Sequence, residues 1–194
     1  MDSLYDNLDT SGNLEIWKVY NDGEQELVFS DHNTIVSGLA AGMMSLFGGM
    51  YSNDITDYQI RWFQLGLSSY DSIDKTITQL SSPIASASYD PSNVGTLVLS
   101  SVPIRINPDT VDNQGVVLIP WNHIRRASPT SVLYTLVLDS QSGNDITYKE
   151  AGLFLRSPFS HVTGPTPVLA AYKTFTSITK RSEFSLIFKW TIYF

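Results

Sequence analysis

The sequence predicts an all-β sandwich, with a jelly roll among the arrangements it admits, and one α-helix in the N-terminal half. Three observations carry this reading. Eight or nine short apolar segments read as strands, several of them, the first and the last above all, alternating apolar with polar side chains. Pro, Gly and Asn punctuate those segments at short intervals, as in sandwiches and barrels. One segment alone, Ile35 to Phe47, switches to helical spacing, with apolar residues at 35, 36, 39, 40, 43, 44 and 47. At 194 residues without a cysteine, the chain is sized for a single domain, 1–194. Such a domain buries roughly 70 per cent of its unfolded surface and stands without a disulfide or a metal.

The elements follow in order. Leu14 to Tyr20 alternates, Asn21-Asp-Gly23 turns, and Glu26 to Phe29 continues, which reads as a hairpin. Asp31 or Asn33 is placed to cap the helix, expected at about 33–47. The other face of that helix is unusual: Gly38, Ala41, Gly42 and Ser45 are small and uncharged, where a solvent-facing helix carries Lys and Glu. Something must pack closely there, either another subunit or the protein's own sheet and loops. Residues 33 to 53 carry no charge, but four glycines make them a poor membrane span. Tyr58 to Leu67 reads as a strand, and a Ser-, Asp- and Thr-rich stretch reads as a long surface loop at about 68–93. Further strands are expected at Val94 to Ile106, Gly115 to Ile119, Val132 to Leu138, Ile146 to Leu155 and Val168 to Phe175.

The last segment, Glu183 to Phe194, places a large apolar residue at every even position from Phe184 onward. Burying six such residues gains roughly 10 kcal/mol or more, and ordering the strand costs about 1–2 kcal/mol per residue. The strand is therefore ordered only against a surface already built, in its own sheet or in a neighbouring subunit. It reads as the closing edge of the sandwich, with pairing inside the chain favoured. Residues expected to mediate assembly are Gly38, Ala41, Gly42, Ser45, the loop from Tyr89 to Val94, and Phe188, Trp190 and Phe194 of this strand.

Charge bounds the partners. Residues 1–112 hold 15 acids and 4 bases, whereas 113–194 hold 4 acids and 8 bases, for a net charge of −7. That balance argues against nucleic acid, whose binding rests on neutralised phosphates. The asymmetry reads either as acidic and basic faces meeting between subunits or as two halves interleaved in one fold. The N-terminus is acidic and polar, unlike a secretory signal, and the chain reads as made in a cytoplasm.

No catalytic constellation emerges. His32, His123 and His161 belong to no metal-ligand or triad spacing, and no phosphate-binding glycine loop is present. Asp54 with Asp57, Asp71 with Asp74, and Asp139 to Asp145 are spaced loosely like calcium ligands; solvated loops, and a hairpin turn for the last, are the better reading. No catalytic residue, metal or cofactor is expected. Trp62, Trp121 and Trp190 lie in apolar runs and are expected in the core; facing solvent, they would form a sugar platform. Trp17 alternates with charged residues.

Several segments, in order, carry a resemblance: Asn33-Thr-Ile-Val-Ser-Gly-Leu39, Ile60 to Gly66, Tyr148-Lys-Glu-Ala-Gly-Leu-Phe154, Val168 to Phe175, Ile178-Thr-Lys180 and Lys189-Trp-Thr-Ile-Tyr-Phe194. Together they resemble tail and baseplate structural proteins of tailed bacteriophages, including the N-terminal attachment domain of tail-collar fibres, over about two thirds of the chain. Within them, Gly152 suggests a bulge or a close approach, and Glu150 reads either as an inward acid held by Lys180 or Lys173 or as an exposed residue on the polar face. The resemblance implies a non-enzymatic virion protein, made in the host cytoplasm. It would be a tail, baseplate or collar adapter that assembles with itself and with neighbouring tail proteins and holds a fibre, with no nucleic-acid or membrane partner. With no shaft after Phe194, the chain is more similar to a stand-alone adapter than to a whole fibre. The rival expectation is a carbohydrate-recognising receptor-binding or capsid-decoration sandwich using exposed Trp and Tyr.

Overall fold

Nearly every alternating segment of the sequence is a strand in the computed structural model, which describes residues 10–48, 54–83, 87–89, 96–99, 102–107, 117–119, 121–141, 143–156, 158 and 167–194. The strands are β1 (Ser11–Tyr20), β2 (Gln25–His32), β3 (Thr34–Ile35), β4 (Ile60–Gly66), β5 (Ala87–Tyr89), β6 (Thr96–Leu99) and β7 (Val102–Asn107). They continue with β8 (Val117–Leu118), β9 (Ile124–Ser128), β10 (Ser131–Leu138), β11 (Thr147–Leu155), β12 (Val168–Thr179) and β13 (Phe184–Tyr193), and α1 spans Ser37–Gly48. They form two antiparallel sheets. The first runs β2-β1-β13-β10-β7-β6-β5 with β9 also on β10, and the second runs β3-β12-β11-β4-β8. The fold is an all-β sandwich with one helix.

β13 is a central strand rather than a closing edge. One side pairs with β1 from Ser11↔Tyr193 to Tyr20↔Phe184, and the other with β10 from Ser131↔Tyr193 to Leu138↔Leu186. Both of its hydrogen-bonding edges are thus used within the chain. Its alternation works as the sequence implies: Phe184, Leu186, Phe188, Trp190 and Ile192 are buried. Phe188 sits at the middle of the inter-sheet layer, with its ring centroid 5.3 Å from Phe63 and 6.5 Å from Phe175. Only Phe194 escapes, at the sandwich end, where its N–H donates to the Thr130 carbonyl at 2.8 Å.

The helix begins at Ser37, two residues after its apolar stripe starts and four after the expected start at about 33. Thr34 and Ile35, a β-branched pair suited to a strand, instead pair with Tyr172 and Ala171 of β12. Asn33 is not a cap; it is buried over Gly12, where a Cβ would lie 2.1 Å from its Oδ1.

The expected surface loop after β4 is, as far as Pro83, a strap over the outer face of the second sheet. Leu80 is fully buried in a second cluster with Val36, Phe154, Leu169 and Tyr172. The Leu67 N–H donates to Ser82 O, and Gly66 bridges Pro83. Beyond the strap, Ala87–Tyr89 is the edge strand β5, and residues 90–95 lie outside the described residues.

Glu150 explains the strap. Its carboxylate has no exposure and accepts the Ser81 and Ser82 N–H groups at 2.9 and 2.7 Å and the Tyr172 hydroxyl at 2.5 Å. Of the two readings the sequence leaves open the inward one holds, but neither lysine holds the carboxylate. Lys173 is drawn to the edge by Asp31 Oδ2 and the His32 carbonyl, each at 2.6 Å. Glu150 is satisfied by donors fixed in the backbone, which bind a carboxylate without the ordering cost of a long lysine side chain. Two glycines make room. A Cβ on Gly66, the register partner of Glu150, would lie 2.2 Å from its Oε1, and one on Gly152 would lie 2.7 Å from Leu80 Cδ1.

Lys180 lies elsewhere, fully buried where the β10–β11 connection meets the end of β12. Its ammonium donates to Asn144 Oδ1 at 3.0 Å and to the Arg181 carbonyl at 2.7 Å, and it lies over the Phe184 ring. Burial pulls its pKa down to about 8, opposed by the fields of Asp139 and Glu183. The Asp139 to Asp145 segment is a crossover between sheets rather than a hairpin turn, since β10 and β11 belong to different sheets. Gly143 and Asp145 take positive φ there, and Asp145 pairs with Arg181.

The acidic and basic halves interleave: β1 pairs with β13, β4 pairs with β11, and Asp31 meets Lys173. β9, Ile-Arg-Arg-Ala-Ser, carries no alternating apolar residues and gave no strand signal.

Two predictions follow from the buried charges. Gly66→Ala costs several kcal/mol in wild type, because it displaces a buried carboxylate, and markedly less in a Glu150→Ala background. Equal costs by urea denaturation in both backgrounds would remove the steric coupling. The folded pKa of Lys180 lies below its unfolded value, so the unfolded chain binds more protons between about pH 8 and 10.5 and stability rises with pH across that window. Relative to Lys180→Met, wild type should therefore gain on the order of 3 kcal/mol from pH 7 to 10, whereas parallel stability curves would place the ammonium in water.

Candidate interaction surface

The small residues of α1 face inward. Gly38 lies so close to β12 that an added Cβ would meet Leu169 O at 2.1 Å, and one on Gly42 would meet Leu155 Cδ1 at 2.4 Å. Gly42 and Ser45 are buried, and Ala41 is half-buried. The helix backbone thus approaches its own sheet closely, which small residues permit and large ones prevent. Gly38, Gly42 and Ser45 are used in packing the helix against the chain's own sheet.

Closeness on one side leaves the opposite stripe uncovered. Leu39 reaches the inter-sheet core, but Met44 is 61% and Phe47 79% exposed. Phe47 is the shared wall of two hollows flanking the helix. One, of about 480 Å³, is lined by Ile35, Val36, Leu39, Ala40 and Met43. The other, of about 350 Å³, continues over Tyr58, Ile124, Val132 and Tyr134 to Trp121 and Phe194. With Trp121 at 60% and Phe194 at 43% exposed, this end of the sandwich presents an apolar surface of aromatic and thioether side chains. Such a continuous patch marks an interaction site more often than a lone exposed residue does.

The sequence-expected assembly residues divide accordingly. Phe194 belongs to the surface. Phe188 and Trp190 are core, and the backbone of Tyr89 lies on the edge strand β5. Glu150, Gly152 and Lys180 are structural. Of the four tryptophans, Trp190 is core as expected and Trp62 is half-buried. Trp17 is half-buried, its Nε1–H donating to Glu15 Oε2 at 3.0 Å. Trp121 departs from the core expectation. Its flanks, Pro120 and Asn122-His123, break the alternation, and that break is the signal in the sequence. Met44 and Phe47 carried no such signal, since they sit in the stripe that would ordinarily face a core.

Reactive side chains do not converge. Among the described residues no three His, Asp or Glu side chains are grouped to hold a metal ion. The His123 Nδ1 contacts the Thr135 carbonyl at 2.9 Å, His32 is exposed, and His161 lies outside the described residues. Asp54 and Asp74 cap turns: the Thr56 N–H holds the Asp54 carboxyl below the usual range, and the Thr76 hydroxyl, then its N–H, does the same for Asp74. No described helix is long and apolar enough to cross a membrane. Comparison with protein-family models, with curated proteins and with solved structures returns no match in any of the three.

If this end is a contact surface, Phe47→Glu should leave the thermal midpoint within about 2 °C of wild type, as for surface substitutions generally, while abolishing binding of an apolar dye. A fall of many degrees would instead make Phe47 part of the fold.

Proposed function

We propose that this chain is a non-enzymatic structural subunit of a tailed-phage virion, a tail, baseplate or collar component that joins copies of itself and neighbouring tail proteins and holds a fibre. It would be made in the host cytoplasm and incorporated into the particle. The ordered resemblance of the Glu150-Ala-Gly-Leu-Phe154 segment and its neighbours motivates the reading. The observation that carries it is the apolar end surface of Met44, Phe47, Trp121 and Phe194. A large uncovered apolar end on an otherwise closed sandwich suits a part that is finished by its neighbours. Docking through that end also fits the use of both β13 edges inside the chain, which leaves side-chain complementarity rather than strand addition at β13 as the means of association.

Size-exclusion chromatography with light scattering on the pure protein, and mass spectrometry of purified particles, test the reading together. The expected result is a discrete oligomer that Phe47→Glu reduces to a monomer, with the chain recovered in tails at fixed stoichiometry. A monomer at high micromolar concentration that is also missing from particles would end the proposal.

A further inference from the structure

Beside the apolar end lies a hollow of a different chemistry, about 360 Å³, lined by Thr56, Gln59, Arg61, Trp62, Trp121 and Arg156. A bulge builds it. Trp62 pairs with Phe154 while Ile60 pairs with Leu155, so Arg61 is the extra residue on β4, and bulges re-aim side chains in this way. Arg61 is then clamped. Its carbonyl accepts the Ile119 N–H at 2.7 Å, its Nε–H donates to the Ile119 carbonyl at 3.0 Å, and its guanidinium stacks 3.7 Å from the centroid of Trp121. The terminal Nη groups remain. Arg156 leaves β11 beside it and donates from Nη1 to Thr56 Oγ1 at 2.9 Å, while its backbone N–H donates to Gln59 O at 3.0 Å.

Three properties of this hollow define a ligand. First, burial and then the field of the neighbouring Arg156 disfavour the charge of Arg61, on a chain of net charge −7. Among the described residues neither guanidinium is within ion-pair distance of a carboxylate; the Asp54 carboxylate accepts the Thr56 N–H at 2.8 Å and feels the field of Arg156 only as a lesser effect. Second, two buried polar atoms of the lining have no partner, the acceptor Gln59 Oε1 and the donor Trp62 Nε1. Buried groups of this kind are normally satisfied, and a hydroxyl, donor and acceptor at once, is the group that serves both. Third, Trp121 offers exposed ring surface beside its Arg61 contact.

An anion, a neighbouring hydroxyl and a C–H face to lie on an indole are the attributes of one class. We infer that this hollow is a binding site for a carboxylate-bearing sugar, a uronic acid or similar residue, with Arg61 and Arg156 on the carboxylate, Gln59 and Trp62 on hydroxyls, and Trp121 beneath the ring. The guanidinium fork matches a planar carboxylate in two-point geometry. The volume suits a single sugar residue within the usual range of ligand pockets. The hollow shares Gln59, Arg61 and Trp121 with the wall of the apolar groove beside it, whereas Trp62 and Arg156 belong to this hollow alone.

Tryptophan fluorescence titrations with methyl β-glucuronoside, methyl β-glucoside, acetate and inorganic phosphate decide the matter. The expected result is saturable quenching by the glucuronoside alone. Arg156→Gln, an exposed position, should weaken it about tenfold or more, the loss of one charge-assisted contact pair. Gln59→Leu should weaken it while melting no lower than wild type, because it removes an acceptor that is unpaired without ligand. Arg156→Lys, which keeps the charge and loses the fork, should fall between wild type and Arg156→Gln. No saturation by the glucuronoside, equal quenching by the glucoside, or unchanged binding in both Arg156→Gln and Gln59→Leu would overturn the assignment. Acetate or phosphate binding as tightly as the glucuronoside would also overturn it, reducing the site to a simple anion pocket.

Discussion

A carboxylate removed from water must be given donors, and in this protein that requirement organises the second sheet and its cover. Glu150 takes two backbone N–H groups from the strap and one hydroxyl from Tyr172. To deliver those N–H groups, the chain after β4 must double back across the sheet, which brings Leu80 down onto Gly152. To admit the carboxylate, Gly66 opposite must have no side chain. To finish the cover, Tyr70 and Ile77 pack on the Leu80 cluster. Leaving a carboxylate so buried without its donors would cost about 3–5 kcal/mol, so strap, glycines and tyrosine are parts of one arrangement.

The closed sandwich contrasts with its open end. Where α1 meets β12, glycine and serine let two backbones approach, and the volume that leucine or phenylalanine would have filled is absent. The large residues that a helix usually turns inward are turned out. The same end gathers Trp121 and Phe194 from the first sheet's loops and last strand, and the bulge at Arg61 sets a cationic hollow beside them. Two chemistries therefore adjoin on one face, an apolar one suited to another protein surface and a polar one suited to a small acidic ligand.

Periodicity gave away β13 and much of β1 and β10, whose burial alternates along the strand, whereas β4 and β11, buried on both faces, were legible as apolar runs between turn signals. It could not reveal β9, whose middle three residues face solvent while Ile124 alone packs against the core, or β3, whose two residues were absorbed into the expected helix. Glu150 and Gly152 were legible as an inward acid and a close approach. Their partners were not, because a backbone N–H has no residue type to read and the strap lies some seventy positions away. The helix misled for a related reason: a stripe records which residues are apolar, whereas the distance to the sheet decides which face is covered. The cationic hollow has no sequence signature at all, since Arg61 and Arg156 are ninety-five positions apart and a bulge joins them.

The placement of β13 between β1 and β10 also sets a timetable for synthesis. Tyr20 leaves the ribosome 164 residues before Phe184, its partner across the sheet. At bacterial or eukaryotic elongation rates that interval is roughly 8–30 s. The β1–β2 hairpin can form within it, but the inner edge of β1 and the facing edge of β10 wait with open N–H and C=O groups. Unpaired edges flanked by Leu14, Ile16 and Leu136 are templates that another unfinished chain can capture. Yield in the cell should therefore depend on what shields those edges during elongation, more than on the stability of the finished sandwich.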